Sequence, residues 1–107
     1  MPLAITMHHP GGPDVLRATN VEVAEPGPGE VRVRQSVIGV NFVDIYYRNG
    51  LYPLPATPAI LGFEGAGVVE AIGARVVSLS VGDRVAYHGK PLGAYAEARL
   101  LPEGRLV

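Results

Sequence analysis

Apolar and polar residues alternate strictly over Val31-Arg32-Val33-Arg34. A period of two places both valines on a buried face of a strand and both arginines on its solvated face. The same strand runs on through Ser36-Val37-Ile38-Gly39-Val40, where near-continuous apolarity predicts burial on both faces. Leu3-Ala4-Ile5-Thr6-Met7 predicts a first strand. A second strand region spans 15–23, with Val21 and Val23 alternating against Asn20 and Glu22. Further strands fall near 66–71, 84–87 and 94–101. One short helix is predicted over 42–48: Asn41 is a good N-cap, Asp44 stands three residues on, and Gly50 follows the end. Residues 51–58 carry Pro53, Pro55 and Pro58 and read as an extended loop. Many short strands and one small helix predict a mainly β fold, a partly open barrel.

Composition supports that reading. Fourteen glycines and ten prolines fall between the apolar runs as turn punctuation. A chain of 107 residues favours a single domain, 1–107, able to bury a core without a metal or disulfide. The formal charge of −1 and the lack of a basic cluster argue against nucleic acid. With no cysteine, disulfides and thiolate metal sites are excluded. No apolar run approaches a membrane span, and no secretory segment follows Met1. A cytoplasmic location is expected.

The densest signal is Gly62-Phe63-Glu64-Gly65-Ala66-Gly67-Val68-Val69-Glu70. A dinucleotide loop needs a third glycine and the start of a helix. Here β-branched residues follow, so the run continues as a strand and offers no helix N-terminus to a pyrophosphate. The glycines are expected to allow a sharp bend and close backbone packing at a barrel corner.

Several motifs then stand in a familiar order: Gly11-Gly12-Pro13-Asp14-Val15-Leu16, Ile38-Gly39-Val40-Asn41-Phe42-Val43-Asp44, Tyr46-Tyr47-Arg48-Asn49-Gly50-Leu51-Tyr52-Pro53, Leu61 through Val69, Gly82-Asp83-Arg84-Val85 and Gly93-Ala94-Tyr95-Ala96-Glu97. Together they resemble the N-terminal half of quinone oxidoreductases, the zeta-crystallin-like branch of the medium-chain dehydrogenase/reductase superfamily. The resemblance implies a GroES-like barrel that supplies the substrate side of a cleft. In the family a Rossmann domain follows and makes most of the cofactor contacts. This sequence ends at Val107, before such a domain, so it is expected to be part of a longer two-domain protein and inactive alone. The implied activity is transfer of hydride or electrons from NADPH to a quinone or other activated alkene. A homodimer, with its contact mainly on the Rossmann half, is also compatible with the resemblance.

Zinc-dependent members hold their metal on a cysteine and a histidine at positions that match Asn41 and Phe63. Phenylalanine has no lone pair and an amide oxygen is a poor zinc ligand, so no metal is expected. His8, His9 and His88 do not rescue a site. By the same resemblance, Asn41 and Tyr46 would lie near the nicotinamide and the acceptor ring. Asn41, Tyr46 and Asp44 are the candidate catalytic residues, with Tyr52, Phe63 and Phe42 lining the substrate side. A neutral-donor pocket suits this chemistry, because hydrogen bonds can offset charge that grows on a quinone oxygen. Each has a plainer reading: Asn41 as a helix cap, Asp44 as a charge at the helix start, the tyrosines as packing anchors, and Glu64 as a structural carboxylate. The competing function is a stand-alone GroES-like binding or assembly module, self-associating through an exposed apolar face.

Overall fold

The computed structural model describes all 107 residues, Met1–Val107. Seven strands and one α-helix form in the order β1 (Leu3–Met7), β2 (Arg17–Asn20), β3 (Glu30–Ile38), α1 (Phe42–Arg48), β4 (Ala59–Ile60), β5 (Glu64–Ile72), β6 (Arg84–His88) and β7 (Ala98–Pro102). Two antiparallel sheets result, ordered β2-β1-β4 and β6-β5-β3-β7. The segment before β7 stitches them together: Ile5 N–H donates to Tyr95 O at 2.8 Å and Gln35 N–H to Glu97 O at 2.7 Å. The sheets do not close on themselves, giving the partly open barrel that the strand pattern predicts.

The alternation at Val31 and Val33 holds, and both are wholly buried. They join Val69, Val85, Tyr87, Ala94 and Leu101 in the main core cluster. Burying one such side chain stabilises the fold by roughly 1.5–3 kcal/mol. A second cluster, Met7, Tyr47 and Leu61, pins α1 to the barrel. The second half of β3 differs from expectation. Val37 and Ile38 are exposed, and Val40 is 82% exposed, because no element of this chain covers that end of the sheet. Val21 and Val23 lie outside β2, which ends at Asn20. Val21 N–H still donates to Pro2 O at 2.9 Å, one step past the last β1–β2 rung, and the regular pairing stops there. Likewise β7 begins only at Ala98, since residues 94–97 are used to bridge the sheets.

The glycine run divides the two roles expected of it. Gly62, at φ +110°, makes the turn into β5. Gly65 and Gly67 lie within the strand and permit close approach instead. A methyl on Gly67 would press on the Arg34 backbone, opposite the bulge where β3 accommodates Ser36. The strand therefore starts at Glu64, two residues earlier than expected. No helix is long and apolar enough to cross a membrane.

Candidate functional site

The helix start is built as its sequence suggests. Asp44, at the third helical position, accepts from the Asn41 backbone N–H at 3.0 Å, and its own N–H donates to Asn41 O at 3.0 Å. The Asn41 side chain faces the Asp44 N–H in the capping-box arrangement without a cap hydrogen bond of its own. Its amide nitrogen donates instead to Glu64 Oε2 at 3.2 Å. Glu64 opens β5, so this contact ties the helix start to the sheet and fixes the amide. Gly39 makes room for it: a methyl there would meet Glu64 Cδ at 2.5 Å.

Asp44 is only 4% exposed. Its Oδ2 accepts from both the Asn41 N–H and the Tyr95 hydroxyl, while Oδ1 is buried without a hydrogen-bond partner. Buried polar atoms are rarely left so, and an unpaired one marks a place where the site can take up a donor. Burial, reinforced by the hydrogen bond to Asp44 and its negative charge, raises the Tyr95 phenol above its ordinary pKa. Asn41, Asp44, Arg48 and Tyr95 line a cavity of about 260 Å³ walled by Val40 and Ile45.

The structure thus joins Asn41 and Asp44 but keeps the tyrosines apart from them. Tyr46 and Tyr52 stack edge to face at 5.6 Å, half exposed, and line no part of that cavity. Tyr52 also packs on Tyr47 at 5.5 Å, and Tyr47 on Phe63 at 5.6 Å. Phe63 is partly buried against the second core cluster, so it acts first as filling beneath the helix. Phe42 is 80% exposed. It extends the apolar surface begun by Val40. Tyr95 is the residue that reading the sequence missed. Its signal was present in the Gly93-to-Glu97 motif, but its partner lies 51 positions away. No group of three or more histidine, cysteine, aspartate or glutamate side chains is placed to share a metal ion.

Residues 27–107 match the family described as the alcohol dehydrogenase GroES-like domain, and the chain belongs to that family. Several of its relatives are quinone oxidoreductases. A quinone oxidoreductase of Pseudomonas aeruginosa is 59% identical over 97 residues, covering 91% of this chain and 30% of that protein. A 2-haloacrylate reductase of Burkholderia sp is 46% identical over 110 residues, covering 100% of this chain and 33% of the relative. Among solved structures, Pseudomonas syringae pv. Tomato quinone oxidoreductase superposes with a TM-score of 0.96 at 54% identity, covering 100% of this chain and 33% of the other. Escherichia coli quinone oxidoreductase complexed with NADPH gives 0.95 at 40% identity, covering 98% and 32%. The chain spans about a third of the length of these relatives. The family expected from the motifs is therefore borne out.

Proposed function

We propose that residues 1–107 form the substrate-side domain of an NADPH-dependent quinone oxidoreductase, one wall of a cleft whose other wall is a Rossmann domain. The observation that carries this reading is the Asn41 amide, held by Glu64 beside the buried Asp44 at the edge of an exposed apolar face. Relatives that are quinone oxidoreductases support it, one of them solved with NADPH. Val40 and Phe42 offer a planar ring a dry surface, and Asn41 keeps a second amide hydrogen free of Glu64. Those features fit the nicotinamide end of the cofactor. The glycine run does not suit its phosphates, because Gly65 and Gly67 sit inside a strand. When bound, NADPH supplies the hydride.

The chain's own residues orient and stabilise. Asn41 donates to an acceptor oxygen as charge develops on it, while Tyr46 and Tyr52, stacked on the helix flank outside that cavity, serve as cleft wall rather than as donors to the same oxygen. Glu64 and Asp44 hold Asn41 in one orientation. The apolar face excludes water when the second domain closes over it. A metal has no part in this reading, since Asn41 and Phe63 stand where a zinc site would need strong ligands. The natural location for such a protein is the cytoplasm.

The test is a chimera in which this chain replaces the matching third of the Pseudomonas syringae enzyme. Quinone-dependent NADPH oxidation by a folded chimera is the expected result. A folded chimera that binds NADPH but reduces no quinone would remove the assignment.

A further inference from the structure

A second cavity, of about 550 Å³, lies between the proline loop and the turn that follows β6. Tyr47, Pro53, Leu54, Pro91 and Leu92 wall it, and Lys90 and Arg105 are its charged residues. No acidic side chain lines it. The structure's salt bridges are those of Arg32 with Glu25 and Glu70, so neither Lys90 nor Arg105 is neutralised by a carboxylate. Glu103, two residues before Arg105, is occupied elsewhere. It accepts from the Ser78 hydroxyl and from the backbone N–H groups of Val77 and Ser78. Arg105 lies against the turn that carries Lys90: a methyl on Gly89, the residue before it, would meet Arg105 Nη2 at 3.7 Å, and both cations line the cavity.

The wall is also rigidly built. Gly89 N–H donates to Phe63 O at 2.7 Å and Gly93 N–H to Gly62 O at 3.2 Å, clamping both ends of the turn. Arg99 holds its middle from below. That guanidinium is buried, stacks over the Tyr87 ring at 5.0 Å, and donates to Pro91 O at 3.0 Å and Leu92 O at 3.1 Å. Burying a cation with no carboxylate partner is costly. Here its result is a turn preformed around a cavity mouth, which lowers the ordering cost of binding. Tyr47, only 8% exposed and packed between Tyr52 and Phe63, forms the floor.

We propose that this cavity binds a small aromatic carboxylate, its planar body against Tyr47 and the prolines and its carboxylate between Lys90 and Arg105. The volume falls within the usual range for small-molecule sites, and the lining has their pattern of apolar walls with few charged groups. Arginine's paired N–H groups match a carboxylate, and lysine adds a second positive charge. A bare phosphate is the poorer fit, because most of the wall is apolar. This site shares no lining residue with the Asn41 cavity and does not depend on the oxidoreductase reading.

The 107-residue chain, labelled with ¹⁵N, is titrated with 2-naphthoate, its neutral counterpart 2-naphthamide, and inorganic phosphate. Saturable shifts at the Leu54, Leu92 and Arg105 amides are expected with naphthoate, which should bind about tenfold more tightly than the amide. Lys90→Gln and Arg105→Gln should each weaken naphthoate about threefold to fivefold, as partly exposed charges do. Arg84→Gln, on the exposed edge of β6, should change nothing, and the amide spectra show directly that each variant is folded. Equal binding of naphthoate and naphthamide would overturn the proposal. So would insensitivity to both substitutions, phosphate binding as tight as naphthoate, or shifts centred on Val40 and Asn41.

Discussion

Replacing Gly67 by alanine probes why the glycine run exists. The added methyl would stand 2.8 Å from Gln35 Cα and 2.9 Å from Arg34 C, and closer still to the Arg34 carbonyl oxygen. Carbon atoms pack comfortably at roughly 3.5–4.0 Å, so the overlap is about 0.7 Å or more. Both neighbours are backbone, and no rotamer change relieves the clash. β3 and β5 must part in mid-ladder. Overpacking costs about 1–3 kcal/mol, and a weakened ladder hydrogen bond adds about 1 kcal/mol. The stiffer unfolded chain returns only about 0.4–1 kcal/mol. The net loss is about 2–3 kcal/mol, which lowers Tm by roughly 10–20 °C in a domain of this size. Gly104→Ala is the control, because nothing lies within 4 Å of its added methyl. It should stay within about 0.5 kcal/mol of the parent. Thermal unfolding followed by circular dichroism reads both. A Gly67→Ala midpoint within about 3 °C of the parent would refute the close-approach argument.

Gly39→Ala acts on a movable neighbour instead. The methyl would meet Glu64 Cδ and Oε1 at 2.5 Å, so the carboxylate swings away and Asn41 loses its acceptor. A stability loss of about 1 kcal/mol is expected, with the Asn41 side-chain amide resonances moving toward solvent-like positions. Unmoved resonances would separate Glu64 from the fixing of Asn41. Tyr95 sets a pH dependence. Its folded pKa is raised by burial and by Asp44, so the folded state resists ionisation that the unfolded chain undergoes near pH 10. Its contribution is complete below that pH and is lost as pH rises through the folded pKa. Denaturant melts at pH 8 and pH 11 should show the parent losing more stability than Tyr95→Phe. Parallel losses would contradict the assignment.

Local features were the legible ones. α1 and its capping residues lie within a few positions of one another, so Asn41, Asp44 and Gly50 fixed its limits. The alternation of Val31 and Val33 likewise named core residues directly. What the sequence could not reveal depended on distant partners. The two-residue β4 exists only because β1 pairs with it. The second half of β3 looks buried by composition yet is exposed, since burial depends on what is packed against it. The same limit applied to the site. Asn41 and Asp44 were visible as a cap, whereas the Glu64 and Tyr95 contacts cross 23 and 51 positions. The family resemblance joined Tyr46 with Asn41, but the helix turns Tyr46 toward Tyr52 and away from the Asp44 cavity.

The most direct measurement compares Asn41→Ala with the parent in the Pseudomonas syringae chimera, following NADPH oxidation by a small quinone under saturating conditions. Loss of a donor aimed at developing charge predicts a fall in kcat of about 10²-fold, with the fold kept and stability lowered by only about 1 kcal/mol as the cap and the Glu64 contact are lost. A kcat within about twofold of the parent would show that the fixed amide takes no part in the reduction.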